Sequence, residues 1–329
     1  MTLAVSTELL PLRSPFVISG YTFTDLTVAV ARISRREATG EGEAAGVYYL
    51  QDDAPHMLAA IESVRAQIDA GASRDDLRRL LPPGGARNAL DCALWDLEAR
   101  LSGRPVWSLA GLGAPRALTT TYTIGAGDPA AMAAKSVEYA EARAIKLKLT
   151  GDVAQDIERV RAVRKARPDV WLAVDANQGF NPDSLETLMP ALVAGKVKLL
   201  EQPFARGRER DLEGLRSAIP IAADESVQGL ADIEGLVGRF DVVNIKLDKC
   251  GGLTEALEMA AAARRLGLGV MVGNMVGTSL AMAPAFILGQ VCDIADLDGT
   301  IFITHDRTPA MVFDQGRVSY PDNGWGRAA

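Results

Sequence analysis

From residue 119 onward the chain repeats one pattern, a short apolar run followed by a helical stretch. The runs are TTTYTIG (119–125), AIKLKL (144–149), VWLAVDAN (170–177), VKLLEQP (197–203), IPIAADES (219–226), DVVNIKLD (241–248), GVMVGNM (269–275) and CDIADLDG (292–299). Each interval has the length of one strand, one helix and two short loops. Between 152 and 169, Val153, Ile157, Val160 and Val163 share a helical face, and Pro168 ends the segment. Eight strands linked by seven helices imply a parallel sheet closing on itself. The expected fold class is α/β, a (β/α)7β modified TIM barrel. An open doubly wound sheet is the alternative, but the Gly-rich dinucleotide turn after a first strand is missing. Gly251 and Gly252 follow a later strand and do not fit that turn.

Residues 1–116 read differently. FTDLTVAVARISRRE and ATGEGEAA have the character of antiparallel strands, whereas DAPHMLAAIESVRAQIDAG and GGARNALDCALWDLEARLSG read as helices. In the second helix Ala86, Leu90, Leu94 and Leu97 make a stripe, and Gly103 with Pro105 stops it. The expectation is an N-terminal α+β capping domain over 1–116, joined by the C-terminal segment 305–329, in front of a barrel over 117–304. With no long linker between them, the two should pack closely.

The net charge of −7 argues against nucleic acid or an anionic membrane as partner. No stretch reaches the roughly 18 to 20 apolar residues of a membrane span, and the N-terminal segment lacks a basic region followed by an apolar one. Cys92, Cys250 and Cys292 are widely separated and odd in number, the pattern of buried thiols in a reducing compartment. A cytoplasmic location is therefore expected; a homo-oligomer is left open. Only two histidines exist, so sites built on several His ligands are nearly excluded, and a general base should be Lys, Asp or Glu.

In such barrels catalytic groups sit at the C-terminal strand ends and point to the mouth. Strand alternation puts Leu172 and Val174 outward, Asp175 and Asn177 inward, Leu200 outward and Glu201 inward, with Asp224 at the next strand end. Three bare carboxylates converging from successive strands repel one another, so a cation belongs among them. All-oxygen ligation points to Mg²⁺, with Mn²⁺ next. Two strands on, Asn244, Lys246 and Asp248 are predicted inward, and Lys249 on the other side or past the strand end. Lys146 and Lys148 share a face of AIKLKL. A lysine at its ordinary pKa of about 10.4 is no base at neutral pH. A second ammonium and a divalent cation nearby favour the neutral amine. Lys148, deepest toward the strand end, is then the proton acceptor and Lys146 the charge that tunes it.

Together ALDCALWDLEARLSGRPVWSLAG, KLK, VDAN, LEQP, ADES and NIKLDKCGGL resemble the enolase superfamily, in its muconate-lactonizing-enzyme branch, along essentially the whole chain. The resemblance implies a carboxylate substrate held on Mg²⁺ by Asp175, Glu201 and Asp224. It also implies an enediolate formed by loss of the α-proton, and lysines Lys148 and Lys246 on opposite faces of the α-carbon. Removal on one face and return on the other is epimerisation. Members of the branch that racemise N-acylamino acids, or eliminate water as o-succinylbenzoate synthases do, use the same pair. A barrel retained only for binding is a third reading. In DIADLDGT, Asp296 and Asp298 share an inward face, with Ala295 and Leu297 outward. This D-x-D is similar to that of the dipeptide epimerases, where it holds the substrate α-ammonium, so a small dipeptide is the implied partner. Members acting on Ala-Glu carry an arginine in the early lobe loop. Here that loop reads SPFVISGYTFTD, with Gly20 and Tyr21 near the position and no arginine. The expected C-terminal substrate residue is therefore not Glu; Tyr21, Phe23, Tyr48 and Tyr49 suit an apolar or mixed side chain.

Overall fold

The computed structural model describes residues 1–18, 21–321 and 323–328. The N-terminal lobe opens with β1 (Thr2–Ile18), β2 (Tyr21–Arg35) and β3 (Ala38–Ala44), an antiparallel sheet in that order. The sequence reading did not single out β1. Pro11 and Pro15 interrupt its alternation, and its register against β2 shifts between Pro11 and Phe16. The long helix Gly85–Ser102 lies on β3. A Cβ on Gly40 or Gly42 would overlap the carbonyl oxygens of Ala93 and Ala89, so only glycine permits this approach.

The stripe Ala86, Leu90, Leu94 and Leu97 is buried as expected, but the helix is buried on its polar side too. Asp91 accepts the Thr254 backbone N–H at 3.0 Å, and Arg87 donates to the Cys250 carbonyl at 2.5 Å and to Glu255 at 2.6 Å. The lobe helix is thus clasped between its own sheet and a barrel helix, Leu253–Arg265. The other expected lobe helix is two, Ala54–Ser63 and Arg65–Ala70.

The barrel follows β4 (Leu118–Thr119) and consists of β5 (Thr121–Ile124), β6 (Ala144–Lys148), β7 (Trp171–Asp175), β8 (Leu199–Glu201), β9 (Ile221–Ala223), β10 (Val242–Lys246), β11 (Gly269–Gly273) and β12 (Ile294–Ala295). They form one parallel sheet in sequential order, and a parallel bridge between Thr120 and Ala295 joins its two edges. The Leu297 N–H to the Thr120 hydroxyl, at 2.8 Å, reinforces that seam. All eight expected strands are present. The expected helix in every crossover is not: the β8–β9 and β9–β10 connections hold 3₁₀ segments, Glu209–Leu212 and Leu230–Leu236, in place of α-helices. These are two of the shorter connections, and left-handed Gly207, Gly214 and Gly238 break them up.

The last strands are β13 (Val312–Asp314) and β14 (Arg317–Ser319); β13 pairs with β14, and β14 with β4. Trp325 Nε1 donates to the Glu41 carbonyl at 2.9 Å, which lays the C-terminal segment across the lobe. No helix among the described residues is long and apolar enough to cross a membrane.

The barrel sorts its inward side chains by height. Ala173, Leu199, Ala222, Val242 and Met271 form an apolar plug at the bottom, packed with Trp171 and Ile294. Further up the strands the inward positions become Lys148, Asp175, Glu201, Asp224 and Lys246, all buried.

Candidate active site

Sheet register sets the geometry. Lys148 pairs with Asp175 and Asp175 with Glu201 across β6, β7 and β8, so the three lie at one level. Asp224 follows β9, and ligand oxygens of Asp175, Glu201 and Asp224 all lie within 4.8 Å of one another. The lysines close the row at both ends. Lys148 Nζ donates to Asp175 Oδ2 at 2.6 Å, and Lys246 Nζ to Asp224 Oδ2 at 2.7 Å. Lys146 Nζ lies 3.5 Å from Glu201 Oε2 and 4.0 Å from Asp175 Oδ2, and is paired with Asp296.

Burial and the neighbouring Asp175 carboxylate push Glu201 up to about 7. Its Oε2 is buried without a hydrogen-bond partner, while Oε1 accepts from Asn244 Nδ2 at 2.7 Å. Burial also pushes Asp224 upward, but Lys246 and Lys249 outweigh it and hold the carboxyl well below the ordinary range. An orphaned, charge-crowded oxygen facing two further carboxylates fits a hard divalent cation bound by oxygen.

Burial pulls Lys146 and Lys246 down, yet the carboxylates win and hold both above the ordinary lysine range. For Lys146 this qualifies the sequence expectation, because its ammonium is committed to Asp296. Asp296 also accepts from the Thr121 hydroxyl. Asp298 accepts the Thr123 backbone N–H at 2.6 Å, and burial followed by the charge of Asp296 pushes it up to about 7. Of the D-x-D pair, Asp298 is the one not committed to a lysine.

A cavity opens above this row. The three lysines, Asn177, Asp224, Asp296 and Asp298 face it from the barrel, and Phe23, Tyr48 and Tyr49 from the lobe. Asn177 sits just past β7 in left-handed geometry, φ 42°, its N–H bonded to Asp175 Oδ1 at 2.9 Å and its own Oδ1 unpartnered. Tyr21 is exposed outside the lining, stacked on Phe23 and edge-on to Tyr48. Gly20 lies outside the described residues.

Strand alternation misplaced two groups. β10 ends at Lys246 and the chain at once winds into the helical turn Leu247–Cys250, so the two-residue period no longer applies. Lys249 turns inward, its Nζ 2.6 Å from Asp224 Oδ1 and 3.1 Å from the Asn244 carbonyl. Asp248, expected inward, reaches up to the lobe instead. Gln202 was also overlooked; its Oε1 accepts the Asp224 N–H at 2.9 Å and fixes that strand end.

A closed parallel barrel with acids on three successive strands and a lysine at each end of the row defines a class of protein. Residues 128–327 match the enolase C-terminal domain-like family and residues 1–111 the mandelate racemase / muconate lactonizing enzyme N-terminal domain, and the chain belongs to that enolase superfamily. Within it, the chain is similar to the L-Ala-D/L-Glu epimerase of Escherichia coli K12, 38% identical over 319 residues, covering 96% of this chain and 99% of the relative. An Agrobacterium tumefaciens enolase family member with homology to dipeptide epimerases, crystallised with sodium and L-Ala-L-Glu, superposes with a TM-score of 0.93 at 41% identity, covering 97% of each chain. The dipeptide epimerase of Enterococcus faecalis V583, complexed with Mg and L-Leu-L-Tyr, gives 0.91 at 28% identity, covering 99% and 97%.

Proposed function

We propose that the protein is a Mg²⁺-dependent dipeptide epimerase. One observation carries the reading: Lys148 and Lys246 stand at opposite ends of a row of three carboxylates spanning five neighbouring strands, with the cavity above. Asp175, Glu201 and Asp224 would hold the cation, which would supply positive charge against the charge developing on the substrate carboxylate. The α-C–H bond breaks toward one lysine, its electron pair enters the enediolate, and the ammonium opposite returns a proton to the other face. A divalent cation there would also offset the carboxylate charge that holds Lys246 above the ordinary lysine range. Asp298 receives the substrate ammonium. Lys146 holds Asp296 and lends positive charge beside Glu201. The lobe, 1–116 joined by 305–329, supplies the wall over the substrate side chain, a division supported by the Trp325–Glu41 bond.

The second residue of the dipeptide is apolar or mixed rather than Glu. Phe23, Tyr48, Tyr49, Leu26 and Val276 contribute to the lining, and its described cationic residues are the three lysines, each paired with a carboxylate. The relative crystallised with L-Ala-L-Glu makes the comparison a sharp one. On a panel of Ala-X dipeptides, X = Leu, Phe, Tyr or Met is expected to exceed X = Glu in kcat/KM. The reverse order would remove this specificity.

Asp298 gives a pH signature. Its carboxyl must be ionised to take an ammonium, so kcat/KM on dipeptides should be full above pH 7 and fall as the pH drops through about 7. Asp298→Asn should lose most dipeptide activity together with that limb. Activity of the variant on N-acylated amino acids, or an unmoved acidic limb, would favour the racemase reading instead.

A further inference from the structure

The loop after β3 forms one side of the cavity through Ala45, Gly46, Tyr48 and Tyr49. Neither the metal row nor the lysines require it, yet three attachments, buried or partly buried, tie it to the barrel. Asp248 Oδ1 accepts the N–H groups of Ala45 at 2.9 Å and Gly46 at 3.0 Å, from more than two hundred residues away. Its carboxyl also bonds the Asn88 side chain in the lobe helix. Glu43, at the end of β3, accepts the Thr278 N–H at 2.7 Å and its hydroxyl at 2.5 Å, and takes Arg307 at 2.9 Å. Thr278 follows Met275 and Val276, which line the same cavity. At the far end Gln228 Nε2 donates to the Tyr49 hydroxyl at 3.3 Å.

The attachments are reciprocal, a lobe carboxylate reaching into the barrel and a barrel carboxylate reaching into the lobe. Two successive backbone N–H groups on one buried oxygen fix both the position and the tilt of a loop. Gly46 adds to this: it is left-handed at φ 72°, and a Cβ there would overlap the Asp52 carbonyl oxygen. Asp248 lies two residues after Lys246 on a rigid turn, so the loop is held relative to the proton-transfer group itself.

We propose that Asp248 is a positioning residue for substrate choice, setting the height of the Tyr48–Tyr49 wall over Lys246, with Glu43 steadying the same wall against the loop after β11. The selectivity part of this proposal rests on the dipeptide reading; the clamp itself does not. Asp248→Ala removes the shared acceptor, whereas Asp248→Asn keeps a carbonyl oxygen where Oδ1 stands.

The test combines amide hydrogen exchange over residues 44–50 with kcat and KM on the Ala-X panel. In Asp248→Ala the Ala45 and Gly46 amides are expected to exchange faster. The ratio of kcat/KM between the best and worst X should shrink about tenfold, mainly through KM. Asp248→Asn should stay near wild type in both, a rescue that general loss of stability would not give. Equal loss for every X, unchanged exchange, or an Asn variant as impaired as Ala would overturn the proposal. Should the Ala variant fail to fold, Asp248→Ser is read the same way, its hydroxyl being too short to reach both amides. A wild-type protein inert on every dipeptide would sink the dipeptide reading, and the exchange experiment alone would then decide the clamp.

Discussion

Lys246→Ala is expected to lower epimerisation by at least 10²- to 10⁴-fold, the usual contribution of a positioned proton-transfer group. The loss should be one-sided. Lys148 and Lys246 stand at opposite ends of the carboxylate row, so on the proposed two-base reading each would face one side of the α-carbon. In D₂O, ¹H NMR should show Lys246→Ala still exchanging the α-proton of one epimer without inverting it, and Lys148→Ala doing so with the other. Removing Lys246 also leaves Asp224 with Lys249 as its partner, so the carboxylate does not become a buried orphan. Both variants exchanging both epimers at wild-type rates would end the two-base account.

The second large effect concerns the cation. Chelation should abolish turnover, and Mg²⁺ should restore it. The same binding should raise the melting temperature with Mg²⁺ concentration, by about 2.7 kcal/mol of stabilisation at a hundred times Kd. Glu201→Gln is the informative variant. It keeps an acceptor for Asn244 Nδ2 at the Oε1 position and puts an amide where the unpartnered Oε2 stands. The fold should survive, while the Mg²⁺-dependent rise in melting temperature disappears and activity falls at least 10²-fold. Asp224→Asn is the poorer choice because it leaves Lys246 and Lys249 buried against a neutral group, costing about 3–5 kcal/mol for reasons unrelated to metal. An undiminished thermal response to Mg²⁺ in Glu201→Gln would move the cation elsewhere.

How much of this was legible beforehand follows from range. The eight strands and the carboxylate row depend on local alternation and on where each strand ends, and both are written in runs of a few residues such as VDAN and LEQP. Groups whose placement depends on distant partners were not. Lys249 and Asp248 obey a helical turn that interrupts the strand period, and their partners are Asp224 and the lobe amides of Ala45 and Gly46. Arg87 and Asp91, polar positions of an apparently amphipathic helix, are buried because a barrel helix covers that side. Lys146 showed a neighbouring ammonium in sequence and a carboxylate partner in space, Asp296, 150 residues on.

The groups proposed to react occupy one contiguous arc, β6 through β10, while β11, β12 and β5 complete the ring. On the proposed reading, proton transfer and recognition of the substrate ammonium thus fall in separate sectors of one cylinder. On that reading, changes in the recognition sector that spare Asp296, the partner of Lys146, would alter the ligand while leaving the acid–base groups in place. Such a molecule can diversify its diet while its chemistry stands still.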